Sequence, residues 1–275
     1  MNTHSTPAAL LVDDASRALN AIIPHSVEVR MTRQDTESIT DTLHRLLSDH
    51  DLVIIRNAPL DDEQLAEVGG QLGQGCSEVK RFVVEGPTGP SGQSRWHHVG
   101  NLVDGRACEL TVMSIREFPS EDGEFELVSN RRAWSELPPE DQHRLRSLEV
   151  AHDFTSVRHT TARLEDPSRK GTMPLVGGTQ DPYLLLGFHA AQVIGMERKA
   201  SDGLLGELMQ RATRSSNVYR HTWQPHDLIA WHNIPLMHHS LGFDVPERRV
   251  IHEVQVRIFH NTKNGVEVVR RTGKS

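Results

Sequence analysis

The sequence predicts an α+β fold or a β-sandwich decorated with helices, carried by one domain over residues 1–275. Three observations predict it. Short runs rich in β-branched residues recur at 52–55, 110–115 and 249–259, the pattern of strands with at least one buried face. Stretches with apolar residues at helical spacing flank them, most clearly 35–50 and 201–213. No linker, low-complexity tract or internal repeat divides the chain.

The elements follow in order. Residues 1–24 form a loose lead-in, helical over 13–23, and 27–31 alternates apolar and charged residues as a strand end does. The helix at 35–50 carries Ile39, Leu43, Leu46 and Leu47 on one face, with Asp35 or Thr36 available to accept its first-turn amides. Strand 52–55 and the turn Pro59-Leu60-Asp61-Asp62 lead into a second helix, with Leu65, Val68 and Leu72 in register and Gly73 and Gly75 ending it. Gly86, Pro87, Gly89, Pro90 and Gly92 make 85–92 a loop. Strand 110–115 closes at Pro119, and 138–148 is a short helix with proline in its first turn. The polar, basic stretch 153–179 reads as a surface insertion or lid. Strand 183–188, the helix with Leu204, Leu208 and Ala212, and strands 227–231 and 249–259 complete the chain.

A net charge of −7 argues against a nucleic-acid polymer as partner. The longest apolar runs, 8–12 and 183–188, fall far short of the roughly 20 residues that span a bilayer. No basic-then-apolar signal opens the chain, and Cys76 and Cys108 are too few for a disulfide framework, so a cytoplasmic protein with reduced thiols is expected. Its 17 histidines are the unusual feature.

Two places concentrate them: Trp96-His97-His98-Val99-Gly100, and Trp231-His232-Asn233 running on to His238-His239. Neutral imidazole is a common ligand for borderline metals, ferrous iron included. A two-histidine, one-carboxylate iron site would place an acid two residues after the first histidine, on the same strand face. Here that position is Val99 counted from His97 and Gly100 counted from His98, and neither binds metal.

The stretch from Trp223 through Asp227, Trp231, Asn233 and His238 to Pro246-Glu247-Arg248-Arg249 closely resembles the C-terminal signature of the taurine dioxygenase-like family. Its members are Fe(II)- and 2-oxoglutarate-dependent oxygenases built on a double-stranded β-helix (jelly-roll) core. In that pattern the distal metal histidine follows the Trp by seven residues, and eleven residues later an Arg grips the side-chain carboxylate of 2-oxoglutarate. His238 and Arg249 stand at those spacings. The resemblance continues in 51–60, in Glu149-Val150-Ala151-His152-Asp153-Phe154 and in Arg116-Glu117-Phe118-Pro119, so it covers roughly residues 25–260. It implies Fe(II), 2-oxoglutarate and O2 as cofactors.

Counting back from Pro119 without a gap sets the first metal histidine on His98, whereas the Trp-His step alone favours His97; His98 is the preferred reading. The motif is then His98-Val99-Gly100, which resembles the 2-oxoglutarate-dependent halogenases. In such a site Gly100 in place of the acid leaves a coordination position that chloride can fill, and a substrate radical can recombine with chloride instead of hydroxyl. Three further departures from the family pattern stand out. His232 replaces the Asp of Trp-Asp-Asn, and Phe125 falls near a cosubstrate-binding Thr. Glu253 falls where the family has a second Arg for 2-oxoglutarate, a role that Arg257, four residues on, could take.

Three functions stay open. The first is a halogenase acting on an unactivated aliphatic C–H bond of a small molecule in natural-product (antibiotic) biosynthesis. The others are a divergent hydroxylase or desaturase, and a non-catalytic binding protein. Arg158, Arg163, Arg169 and Lys170, with Lys80 and Arg81, suit an anionic small-molecule substrate such as a nucleotide. Oligomeric state is left open.

Overall fold

The computed structural model describes residues 14–31, 38–73, 78–89, 94–98, 108–153 and 170–257. In order, its elements are α1 (Asp14–Ile22), β1 (Ser26–Arg30), α2 (Ile39–Leu47), β2 (Leu52–Arg56), α3 (Asp62–Leu72), β3 (Lys80–Glu85), β4 (Leu110–Glu117), β5 (Phe125–Ser129), α4 (Asn130–Ser135), α5 (Pro139–Leu145), β6 (Glu149–Asp153), β7 (Lys170–Pro174), β8 (Val176–Gly177), β9 (Tyr183–Leu184), β10 (Ala190–Val193), α6 (Arg198–Ala212), β11 (Val218–His221), β12 (Leu228–His232), β13 (Leu236–Ser240) and β14 (Arg248–Val256).

Two sheets face each other. The larger has six strands in the order β1-β2-β12-β4-β14-β3, parallel only between β1 and β2. The smaller is β11-β5-β13, antiparallel throughout. Between them pack Leu52, Ile54, Met113, Ile115, Ile229, Trp231 and Ile251 from the first sheet and Phe125, Leu127 and Leu236 from the second. The outer face of the large sheet is covered by Leu43, Leu46, Leu65 and Val68 of α2 and α3, and that of the small sheet by apolar residues of α4, α5 and α6. Each strand therefore divides by parity into residues facing the other sheet and residues facing helices. Two sheets packed face to face with helices on their outer faces make the core a sandwich.

Several elements begin or end elsewhere than the periodicity predicts. Ser38, whose side chain accepts from the amide of Asp41, caps α2; Asp35 and Thr36 lie outside the described residues. Asp61 caps α3 in a reciprocal pair with Gln64. The expected lid at 153–179 is only partly a loop. Residues 170–174 form a strand against β6, and 154–169 lie outside the described residues. The predicted strand 183–188 pairs only at Tyr183–Leu184. At β4 the ladder slips: Val250 pairs with Glu117 and Ile251 with Ile115, leaving Arg116 as a bulge.

One buried ionic network ties β1, β2 and the start of β12 together. Arg56 donates through Nε to Glu28 at 2.8 Å and pairs with Asp227, while His221 Nε2 lies 3.0 Å from Asp227. Removing the cation strands two buried carboxylates. Arg56→Ala should therefore cost about 3–5 kcal/mol of folding free energy in urea denaturation, and a loss below about 1 kcal/mol would show that the network carries little stability.

Candidate metal and cosubstrate site

β13 supplies the reference ligand. His238 lies opposite Leu127, whose side chain belongs to the core between the sheets, so its imidazole faces inward against Phe125 and Trp231, with ring centroids 5.3 and 5.5 Å away. It is 6% exposed, and its Nδ1 is buried with no partner in the protein. Burial, and then the neighbouring imidazole of His97, hold it well below the ordinary histidine range, so it is neutral and can bind a metal.

The segment 94–98 adds a short antiparallel pairing to the free side of β13. His97 and His238 exchange backbone hydrogen bonds of 3.1 and 3.0 Å. Directly opposed residues project to the same side. The rings of His97 and His238 accordingly meet at 4.1 Å. His97 Nδ1 lies 2.5 Å from the carbonyl of Arg95, so this nitrogen carries the proton and the lone pair is on Nε2.

His98, the preferred reading from the sequence, is not the histidine that the fold sets beside His238. It projects to the opposite side from His97, as Met237 does from His238. Its Nδ1 donates to the carbonyl of Asn233 at 2.6 Å, and its Nε2 accepts from Asn130 Nδ2 at 3.3 Å. Both nitrogens are committed. Gly100 lies outside the described residues; with His97 as the ligand, the position two residues on is Val99, also outside them. Among the described residues, no group of three histidines, cysteines or acids could hold a metal, and the two imidazoles of His97 and His238 stand together without a carboxylate beside them.

Arg249 faces inward from β14. It is 4% exposed, and Nη1 donates to the carbonyls of Gly123 (3.0 Å) and Leu241 (2.7 Å). Its Nε is buried and unpaired, and no carboxylate pairs with it among the described residues. Desolvation alone holds this guanidinium below its ordinary pKa. Gly123 sits at φ +70°, and a Cβ there would come within 2.6 Å of Pro119, so only glycine presents its carbonyl this way. A buried cation with no carboxylate beside it among the described residues is suited to receive an anion.

The other departures resolve into local roles. His232 turns to the helix side, where Nε2 lies 3.0 Å from the carbonyl of Leu47, the last residue of α2. Asn233 bridges Cys108 O (2.7 Å) and Thr111 Oγ1 (2.9 Å). Phe125 fills space beside Trp231. Glu253 faces inward and takes a 2.6 Å bond from Gln255; burial pushes its carboxyl up. Arg257 is half-buried, eight residues beyond Arg249. At roughly 3.3 Å per residue that is about 26 Å, too far for both to grip one five-carbon diacid, so the suggested role of Arg257 in cosubstrate binding is set aside. Arg248 pairs with Glu117 at the surface.

Of the basic set read as an anion receptor, Lys170 pairs with Asp153, Arg81 with Asp62, and Lys80 donates to Gln255. Arg158, Arg163 and Arg169 lie outside the described residues.

Residues 16–255 match the model of the taurine catabolism dioxygenase TauD, TfdA family, and the chain belongs to that family of non-haem iron, 2-oxoglutarate dioxygenases. It is 28% identical over 163 residues to an alpha-ketoglutarate-dependent 2,4-dichlorophenoxyacetate dioxygenase of Burkholderia sp. (strain RASC), covering 56% of this chain and 54% of that protein. It is 26% identical to a pentalenolactone F synthase of Streptomyces arenae, covering 66% and 68%. The match thus spans about half the length of the first of these relatives. Among solved structures, AAD-2 in complex with Mn(II) and N-oxalylglycine superposes with a TM-score of 0.71 at 19% identity, covering 87% of this chain and 96% of that one. A taurine dioxygenase from Burkholderia xenovorans gives 0.66 at 20%, covering 84% and 86%. Both likenesses concern the fold. No described helix is long and apolar enough to cross a membrane.

Two outcomes are expected of variants. His97→Ala and His238→Ala should each abolish stoichiometric Fe(II) binding, measured by chelator competition; retention in either would remove that residue from the site. Arg249→Ala should raise the 2-oxoglutarate concentration needed for half-saturation about 10- to 100-fold, since a charge-assisted contact is worth roughly 1.5–3 kcal/mol; an unchanged requirement would reject the receptor.

Proposed function

We propose that the chain is an Fe(II)- and 2-oxoglutarate-dependent oxygenase that hydroxylates an aliphatic C–H bond of a small molecule. In this reading His97 and His238 hold the iron and Arg249 the side-chain carboxylate of the cosubstrate. With O2, the bound iron and 2-oxoglutarate supply the oxidising power that an unactivated C–H bond demands. The reading is carried by Arg249, a buried guanidinium without a carboxylate partner among the described residues, facing the same interior as two imidazoles 4.1 Å apart. Arg249 orients the cosubstrate through its remaining donors, while Nη1 stays fixed on Gly123 and Leu241. Phe125 and Trp231, both fully buried, keep water from the side of His238 on which they pack. A non-catalytic role accords poorly with a buried charge kept at the cost of its desolvation.

Halogenation is the second reading. In its favour, neither Val99 nor Gly100 can ligate, so chloride has a coordination position in either register. The His97 register weakens it, because the branched Val99 narrows the space that Gly100 was expected to open. The printed names of the relatives above, a dioxygenase and a synthase, accord with oxygenation. An anionic or nucleotide substrate rests on Arg158, Arg163 and Arg169 alone, since the other basic residues are committed within the chain.

Anaerobic addition of 2-oxoglutarate to the Fe(II)-loaded protein should produce a metal-to-ligand charge-transfer band insensitive to chloride. No band would reject the proposal, and a band that shifts with chloride would favour the halogenase. Val99→Asp, restoring an acid two residues after His97, should tighten Fe(II) binding while Gly100→Asp should not; the opposite ranking would return the ligand to His98.

A further inference from the structure

We infer that His98 is a positioning residue for the metal site: it acts as a key that fixes the rotation of the 94–98 segment and so aims the imidazole of His97. The inference rests on the metal-binding reading of His97 and His238.

Its basis is mechanical. Segment 94–98 meets the small sheet through the His97–His238 bridge, the amide of Ser94 on the carbonyl of Ser240 (3.0 Å), the amide of Ser240 on Ser94 Oγ (2.8 Å) and the Trp96 ring beside His239, while on its other side the carbonyl of Trp96 accepts from the amide of Phe188 at 3.0 Å. These backbone bonds set where the short segment lies; a small roll about its own axis would still swing the His97 ring away from that of His238, so the ring's aim depends on what holds the side chains beside it. Neighbouring side chains on an extended segment point in opposite directions, so fixing the direction of one fixes the other.

The His98 ring is fixed at both nitrogens by two different elements. Asn233, in the turn between β12 and β13, receives Nδ1–H at 2.6 Å, and Asn130, at the start of α4, meets Nε2 at 3.3 Å. Neither anchor is loose. Asn233 is itself bonded to Cys108 and Thr111, and Asn130 is fully buried, with its amide donating to the carbonyl of Pro235 at 2.8 Å. The His98 ring is 3% exposed and packs on His189, with centroids 5.4 Å apart. Phenylalanine could fill this slot but could not span the two bonds. Glutamine carries one donor and one acceptor and could make both.

The test titrates Co(II) into the wild type, His98→Phe, His98→Gln and His97→Ala, reading affinity by chelator competition and geometry from the Co(II) visible spectrum, with circular dichroism and thermal melts as controls for folding. Partners that orient a metal ligand typically carry about 10- to 100-fold in metal affinity. His98→Phe should lose that much and show an altered spectrum, His98→Gln should recover most of both, and His97→Ala should lose binding altogether. A folded His98→Phe with wild-type affinity and spectrum would overturn the inference. So would His98→Gln losing as much as His97→Ala, which would make His98 a ligand. Should His98→Phe fail to fold, Asn130→Ala takes its place, and an unchanged Co(II) spectrum there would also overturn it. Wild-type protein that binds no Co(II) would defeat the metal-site reading itself. Wild-type binding with an indifferent His98→Phe defeats only this one.

Discussion

The site depends on one hydrogen-bonded bridge between two short strands. Where two residues face each other across an antiparallel pair, their side chains share a side, and everything else on each strand follows by alternation. The exchange of amides between His97 and His238 therefore sends two imidazoles to the interior, and Trp96, His98, Met237 and His239 to the other side. On that side His239 stacks on Trp96 and bonds Glu126, and His98 locks onto two asparagines. Adjacent histidines that are chemically identical thus acquire opposite occupations. Neutral imidazoles at 4.1 Å do not attract each other as a salt bridge would, so it is the backbone that brings them together.

The second constraint is electrostatic. A guanidinium among apolar residues is costly unless something anionic joins it, and the two carbonyls that hold Arg249 offset only part of that cost. The contrast with Arg56 is instructive. That residue is as thoroughly buried but sits between Glu28 and Asp227, and its charge is spent on the fold. Two inward-reaching arginines in one protein therefore have different meanings, and the difference lies wholly in their neighbours.

Much of the large sheet was legible in the sequence. Runs such as 52–55 and 110–115 are buried on both faces and carry continuous apolar residues. The small sheet was not. β5, β11 and β13 carry Glu126, Arg220, His221, His238 and His239, because one of their faces serves the site and the other an ionic cluster, so their alternation does not read as apolar against polar. His238 and Arg249 were singled out by spacing along the chain, and the strands set both facing the interior. The ungapped count through 99–107 pointed to His98, whereas the parity of Trp96-His97 against β13 sets His97 beside His238. The cap of α2 was placed early for a related reason: Asp35, Thr36 and Ser38 are all competent acceptors.

The slipped ladder at Arg116 has a consequence for how this architecture tolerates changes in chain length. Upstream of the bulge, β4 directs its odd-numbered residues Thr111, Met113 and Ile115 toward the other sheet. Beyond it Glu117, odd-numbered too, lies opposite Val250 and turns outward to meet Arg248. The extra residue inverts the strand's parity once, shortly before the chain turns through Pro119 to Gly123, whose carbonyl must reach Arg249. Removing a residue there would not merely shorten a turn. It would close the bulge, because Glu117 would then follow Ile115 directly, still opposite Val250 and still turned outward. A one-residue deletion remote from the histidines would therefore be felt not in the facing of Glu117 but in the loss of the kink that aims the turn, and with it the Gly123 carbonyl on which Arg249 rests.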